Sequence, residues 1–247
     1  MTLSESINEI LSSFTSNDLF DSHTIINELI TKPEYHLAYL REYPENCTVN
    51  QYHGQIAKTI SNIPNMVYLA PTTKEEYLKM LDWSTTQKQH PVAIRVPSGK
   101  VISTGIADTT DYSILNKFKV EEKGKDIAII AEGSFYELGK QVREKLFEQG
   151  INATLINPVY LTGIDEKLLE NLKREHRIVV TLESGILDGG FGEKITRYYG
   201  DYDMKVLNSL LKEDFAYLVQ LLKFNQFKYE FDALYVFSIK ILTINFT

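Results

Sequence analysis

The side chains best placed for chemistry lie in a glycine-rich segment and in an acidic residue before it. Gly189-Gly190-Phe191-Gly192 precedes a predicted helix, where backbone N–H groups and the positive end of the helix dipole can hold an anion. Glu183 ends the preceding strand, at the edge where open α/β sheets place ligands. Glu183, Gly190 and Gly192 are therefore candidates for the edge of an anion or ligand site. In the structural alternative, the glycines allow close packing and Glu183 caps a helix or loop.

Histidine and cysteine side chains show no spacing that is typical of a metal site. No histidine has a carboxylate or a second histidine four residues away, and this holds for His23, His36, His53, His90 and His176. We predict no metal site and interpret each histidine as an ordinary surface or core residue. Cys47 is the only cysteine, so an intrachain disulfide is impossible and nothing indicates an oxidising compartment.

The composition is typical of a globular protein. The chain has 247 residues, 43% of them hydrophobic and 24% charged, which favours two domains. The net charge of -7 repels phosphate backbones, and residues 17–60 contain six acidic and three basic residues, so we expect no nucleic-acid partner. Residues 1–5 lack a secretion signal. Segment 233–246 is too short to span a bilayer and contains Lys240, so we expect a cytoplasmic protein without a membrane partner.

The elements that must position the candidate residues change in type near residue 66. Residues 3–60 favour short helices, with Pro33 at a first-turn position and no strand signal. Residues 67–70 then form a short apolar run, Thr72 and Thr73 offer N-caps for a helix, and 92–94 form a second apolar run. This order predicts a βαβ unit on a mostly parallel sheet.

A second α/β alternation follows a predicted linker over residues 97–125, which contains several glycines and the charged run Glu121-Glu122-Lys123. Beyond Gly124 the pattern predicts a compact domain with four strands and three helices. The predicted strands cover 127–131, 153–156, 178–182 and 205–207, and the predicted helices cover 135–148, 165–174 and 190–198. The segment 224–246 is dense in aromatic and β-branched residues and would be prone to aggregate if it were not packed.

Several separated motifs occur in an order that is specific to one family. They are Ile-Pro-Asn-Met-Val-Tyr-Leu-Ala-Pro at 63–71, Pro-Val-Ala-Ile-Arg-Val-Pro at 91–97, and short motifs from Gly124 to Gly192. Together they resemble the C-terminal part of 1-deoxy-D-xylulose-5-phosphate synthase, a member of the transketolase family. The resemblance covers about residues 61–208.

The resemblance implies a domain organisation within the α/β class. We expect a helical N-terminal segment at 1–60, and a remnant of a pyrimidine-binding βαβ unit with its linker at 61–123. A transketolase C-terminal-like domain at 124–208 and a divergent tail at 209–247 complete the chain. In the family, the C-terminal domain supports the dimer, so the expected partner is a second copy or a chain that supplies the diphosphate-binding domain.

The resemblance also implies a cofactor that this sequence is not equipped to hold. The family condenses pyruvate with glyceraldehyde 3-phosphate, with loss of carbon dioxide, and uses thiamine diphosphate with magnesium. It holds the diphosphate and metal with a Gly-Asp-Gly segment, which occurs nowhere in this sequence. The glutamate that activates the cofactor cannot be placed either. We therefore predict that the chain alone neither binds the cofactor nor converts the family substrates.

Three further site candidates follow from the resemblance. Arg95 matches the first arginine of the family's Arg-Tyr-Pro-Arg-Gly segment, whose guanidinium is suited to the substrate phosphate, while Val96 and Ser98 replace the tyrosine and the second arginine. The structural alternative for Arg95 is a strand-end arginine paired with a carboxylate. Upstream, Gln51 aligns with a histidine that contacts cofactor and substrate in the family, and His53 lies two residues out of step.

Two functions remain open from the sequence. The chain is either part of a synthase that acts beside a partner with the diphosphate-binding domain, or a non-catalytic relative that dimerises or binds a small anion. A helical module for nucleic acid over residues 3–60 is a third and weaker hypothesis, because the local charge is unfavourable.

Overall fold

The computed structural model describes residues 1–14, 22–45, 48, 49, 52, 56, 62–96, 102–183, 189–209, 219, 220 and 222. Its described elements are three N-terminal helices, a βαβ unit, and a five-stranded sheet flanked by helices. The predicted α/β class is confirmed.

Most of the described residues 1–45 are helical, as their apolar spacing predicts. Helix α1 (Leu3–Ser13) begins with a capping box, in which the Thr2 side chain accepts from the Glu5 backbone N–H and the Glu5 side chain accepts from that of Thr2. Helix α2 (Ser22–Thr31) and helix α3 (Pro33–Arg41) follow, and Pro33 occupies the start of α3. Their buried leucine, isoleucine and tyrosine side chains belong to one apolar cluster that also contains Tyr68.

The predicted βαβ unit is present. Strand β1 (Val67–Leu69) pairs in parallel with strand β2 (Val92–Ile94), and helix α4 (Lys74–Thr86) connects them. The Thr73 hydroxyl accepts from the Glu76 backbone N–H and caps α4, as the sequence indicates.

The larger sheet has the strand order β3-β5-β4-β6-β7. The four parallel strands match the prediction and are β4 (Asp126–Ala131), β5 (Thr154–Asn157), β6 (His176–Leu182) and β7 (Lys205–Ser209). Helix α5 (Tyr136–Phe147), helix α6 (Glu166–Leu172) and helix α7 (Phe191–Tyr199) correspond to the three predicted helices. Glycine at position 139 lets α5 approach β4, since a Cβ there would lie 2.7 Å from the Ala131 Cβ.

The prediction of an exposed linker is wrong for four residues. Lys119–Glu122 form strand β3, which pairs antiparallel with β5 at the edge of the sheet. Three of its four side chains are charged, which is common on edge strands because charge discourages pairing with other chains. The same charges hide the strand from a search for apolar runs.

The sheet is buried on both faces. Ile127, Ile129 and Ala131 of β4 pack with Val142 and Leu146 of α5 on one face. The alternating residues Ala128 and Ile130 belong to the cluster on the other face, which also contains residues of α6 and α7. This explains why the central strands read as continuous apolar runs. In the described part of the chain, no helix is long and apolar enough to cross a membrane.

Candidate functional site

The first predicted site residue, Arg95, lies where the carboxyl ends of the two sheets meet. It directly follows β2, and its backbone N–H donates to the Leu69 carbonyl at 2.8 Å. Its guanidinium Nη1 lies 3.1 Å from Oε1 of Glu132, which directly follows β4. The Glu132 side chain is 3% exposed and the Arg95 side chain 30% exposed, so the pair is half-buried with the cation on the outer side.

A buried phenol accompanies this ion pair. The Tyr68 hydroxyl is buried in β1 and makes no hydrogen bond to any described residue. Burial raises the pKa of Tyr68, and the positive charge of Arg95 acts in the opposite direction. Tyr68 therefore stays protonated at neutral pH and presents a neutral hydroxyl near the charged pair.

The glycine-rich candidate site is assembled by the fold, but its donors are already used. The Glu183 carboxylate accepts from the Phe191 N–H at 2.8 Å and from the Gly192 N–H at 3.0 Å. A Cβ at Gly190 would lie 2.4 Å from Glu183 Oε2, and one at Gly192 would lie 2.7 Å from Oε1. The glycines thus make room for a carboxylate that caps α7. The geometry favours the capping alternative, because an added anion would have to displace Glu183.

A buried polar network that sequence reasoning missed joins three parts of the fold. Glu76 of α4 is 5% exposed, and its Oε1 lies 2.5 Å from the Lys119 ammonium of β3. The Asn157 amide at the end of β5 donates to the same oxygen at 3.1 Å. Oε2 of Glu76 accepts from both the backbone N–H and the hydroxyl of Thr72. Each oxygen of this buried carboxylate therefore accepts from two donors.

Asp108 extends the network along the connecting segment. Its Oδ1 lies 3.2 Å from the Lys119 ammonium, and its Oδ2 accepts from the Tyr112 hydroxyl at 2.6 Å. Burial opposes the charge on Lys119, but the carboxylates of Glu76 and Asp108 outweigh it and raise the pKa of Lys119. Burial also acts to raise the pKa of Asp108, and hydrogen bonds from Thr110 and Tyr112 together with Lys119 lower it overall. Lys119 and Asp108 are therefore both charged at neutral pH.

The network has the features of a clamp between domains. It connects the βαβ unit through Glu76, the connecting segment through Asp108 and the large sheet through Lys119 and Asn157.

Among the described residues, no group of three or more histidine, cysteine, aspartate or glutamate side chains could hold a metal ion.

The sheet that carries Lys119, Glu132, Asn157 and Glu183 lies in a region that is similar to known proteins. The family profile described as transketolase, C-terminal domain, matches residues 116–213. Residues 116–213 are therefore similar to the C-terminal domain of transketolases. The matched region begins just before β3, which agrees with the pairing of β3 to the large sheet.

The longer resemblance is also confirmed. The chain is 39% identical over 152 residues to 1-deoxy-D-xylulose-5-phosphate synthase of Clostridium botulinum (strain Alaska E43 / Type E3), which covers 60% of this chain and 24% of that protein. It is 33% identical over 159 residues to the synthase of Clostridium acetobutylicum, covering 63% and 25%. The chain thus spans about a quarter of the length of these curated relatives.

A solved structure supports the fold. The structure entitled "Split gene transketolase, inactive beta4 tetramer" superposes with a TM-score of 0.56, at 22% identity, and the match covers 70% of this chain and 58% of that chain. At this identity the likeness shows the fold only.

The structure places some of the predicted site residues together, and others lie outside its described part. Glu183, Gly190 and Gly192 are brought together at the start of α7. Arg95 pairs with Glu132, which follows β4, the strand beside the one that Glu183 follows. Gln51 and His53 lie outside the described residues.

The sequence offered only weak signals for the polar network. The signal for Glu76 was its position at a helix start, and the signal for Lys119 was one cation among several charged residues. Neither signal points to the other residue.

Proposed function

We propose that the chain supplies the C-terminal part of a thiamine-diphosphate enzyme of the 1-deoxy-D-xylulose-5-phosphate synthase type, and that it acts with a partner that carries the diphosphate-binding domain. The observation that carries the proposal is the match to the synthase over 152 residues at 39% identity. A solved neighbour described as a split gene transketolase in an inactive tetramer supports the idea that such parts occur on separate chains.

The described residues do not fit the magnesium and diphosphate of the cofactor. No cluster of three metal-ligating side chains occurs among them, and the whole sequence contains no Gly-Asp-Gly segment. The proposal therefore assigns the cofactor cradle to the partner and no chemical step through the cofactor to this chain. A cytoplasmic location belongs to the proposal, because Cys47 is the only cysteine and the family substrates are small soluble metabolites.

In this proposal Arg95 binds the phosphate of glyceraldehyde 3-phosphate. A guanidinium has five N–H donors, and the Nη1 contact with Glu132 holds its plane at the edge of the sheet. Nearly a third of the side chain is exposed, which gives a phosphate access to it. Glu132 would orient the guanidinium, and the protonated Tyr68 would add no further negative charge beside the pair.

The proposal predicts complementation between two chains. The purified chain alone is expected to give no carbon dioxide from pyruvate and no 1-deoxyxylulose 5-phosphate. Addition of a chain with the N-terminal domains of a synthase is expected to give turnover that saturates with the concentration of either chain. The measurement is release of labelled carbon dioxide together with product analysis. Unaided turnover, or none with any N-terminal chain that binds this one, would contradict the proposal.

The complemented enzyme also tests Arg95. Arg95→Ala is expected to lower kcat/KM for glyceraldehyde 3-phosphate by roughly 100-fold, because charge-assisted hydrogen bonds to a phosphate are lost. The KM for pyruvate should not change, and Arg95→Lys should recover only part of the loss because it cannot bind in a bidentate manner. If Arg95 serves only to pair with Glu132, the variant will lower the stability while kcat/KM for the phosphate substrate stays the same.

The alternative function is a non-catalytic relative that dimerises or binds a small anion. Helices α1, α2 and α3 lie outside the part that matches the transketolase profile, yet their apolar residues share a buried cluster with β1 and the large sheet. Sedimentation of the lone chain and calorimetric titration with thiamine diphosphate and magnesium separate the two functions. A dimer that never complements a synthase would favour the alternative.

A further inference from the structure

A cavity of about 460 Å³ lies between the start of the βαβ unit and the transketolase C-terminal domain. Met66 and Val67 at the start of β1 form one wall, together with His90, which precedes β2. Thr162 and Gly163 of the loop after β5 form another wall. The volume is within the range of small-ligand sites. The cavity lies at the start of β1 and β2, whereas Arg95 lies at the carboxyl end of the same two strands. The cavity is therefore separate from the site proposed for the substrate phosphate.

Positive charge dominates the lining of this cavity. Lys194 and Arg197 of α7 are three residues apart, so they lie on one face of the helix and both reach the cavity. His90 and the amides of Asn62 and Asn116 add polar atoms. Within the described part of the chain, no carboxylate lines the cavity, and Arg197 forms no ion pair.

The Lys194 ammonium is held in place by the loop. It donates to the Leu161 carbonyl at 2.8 Å and to the Thr162 carbonyl at 3.2 Å. Burial and the positive charge of Arg197 lower the pKa of Lys194 to about 8, and the negative charge of Glu183 opposes this shift. Two cations on one helix face therefore repel each other, and a bound anion would relieve this repulsion.

One residue in the cavity wall, Asn116, has an uncommon backbone conformation. Asn116 has a φ of 59°, in the left-handed region that is uncommon for residues other than glycine. Its amide packs directly on Gly163, where a Cβ would lie 2.3 Å from the Asn116 Cγ. Glycine at 163 is thus required for the Asn116 amide to lie at the wall of the cavity. The position of this donor is set before any ligand enters.

We propose that this cavity binds a small phosphate-bearing molecule. Lys194 and Arg197 contact the phosphate, with the Arg197 guanidinium matching two oxygens and the Lys194 ammonium acting as a point charge. Asn62, Asn116 and His90 bind the remaining polar atoms of the ligand. The site joins the βαβ unit to the C-terminal domain, so occupancy stabilises their contact.

The test is a titration of the full chain with inorganic phosphate and with pyrophosphate at low ionic strength, followed by calorimetry. We expect saturable binding with a stoichiometry of one. Arg197→Ala should weaken binding about 10- to 100-fold, because one charged hydrogen-bond donor is lost. The matched control is Arg174→Ala, an exposed arginine at the end of α6 that does not line the cavity, and it should leave the affinity within about twofold.

Several outcomes would overturn the proposal. No detectable binding of either probe, equal weakening by Arg197→Ala and Arg174→Ala, or tighter binding of citrate than of pyrophosphate would each contradict it. Arg197 is exposed, so its replacement is not expected to prevent folding, and a thermal melt of the variant verifies this. None of these binding measurements depends on complementation by a second chain. A negative complementation result would therefore contradict the proposed function without contradicting this site.

A second arm uses pH and sulfate, whose charge is constant over the range. Binding should weaken as the pH rises from about 7 to about 9, because Lys194 loses its proton near its lowered pKa of about 8. The charged groups that face Lys194 are Arg197 and Glu183, and His90 lies across the cavity. Lys194→Arg keeps a cation throughout and should bind sulfate without this decline. An equal decline in that variant would exclude Lys194 as the contact.

Discussion

Replacing Glu76 by alanine is expected to destabilise the protein by about 3–5 kcal/mol, the usual cost of removing one partner from a buried ion pair. The loss leaves the Lys119 ammonium with Asp108 as its remaining carboxylate in the network. It also removes the acceptor for the Asn157 amide and for the hydroxyl and backbone N–H of Thr72. Urea unfolding followed by the fluorescence of Trp83, the only tryptophan, measures the effect.

The matched control is Glu75→Ala, one residue earlier on the same helix. Glu75 is partly exposed, and at the surface its carboxylate accepts hydrogen bonds from Ser103, Thr104 and Gly105, which lower its pKa to about 2. Solvent replaces these contacts when the side chain is removed, so its loss should cost clearly less than that of Glu76. Equal losses for the two variants would show that burial of Glu76 is not what makes the network stabilising.

Replacing Glu183 by alanine is expected to cost about 2–4 kcal/mol of unfolding free energy, because two buried backbone N–H groups lose their acceptor. These are the donors of Phe191 and Gly192 at the start of α7. Glu183→Gln keeps one acceptor oxygen but removes the charge that favours the helix dipole, so it should cost about half as much. Gly190→Ala should be comparably destabilising, since its Cβ would lie 2.4 Å from the Glu183 carboxylate.

Glu193→Ala provides the control for Glu183. Glu193 lies in the first turn of the same helix, and its exposed carboxylate accepts from the Gly189 N–H at 2.7 Å. Its loss should cost only about 0.5 kcal/mol, as for exposed charges near a helix start. Added phosphate should restore part of the stability of Glu183→Ala by occupying the vacated cap. A Glu183→Ala protein as stable as the wild type would show that α7 needs no cap.

The elements that carry these residues could be predicted because each has a local signal. Thr73 and the apolar residues of α4 mark the start and face of that helix, and the continuous apolar run at 127–131 marks a strand buried on both faces. Strand β3 has no such signal, because Lys119 and the glutamates beside it are stabilised by partners far away in the sequence. Local reasoning cannot detect a strand of this kind.

The sequence by itself determined the α/β class, the order of the helices and strands other than β3, and the likeness to the transketolase family. These depend on periodicity, caps and short motifs, which act over a few residues. Only the tertiary structure decided the roles of individual polar groups. It pairs Arg95 with Glu132, 37 residues apart, and brings Asn157 to Glu76 across 81 residues. Whether a charge binds a ligand or satisfies a neighbour depends on which groups burial places beside it, and such contacts form only when distant segments pack.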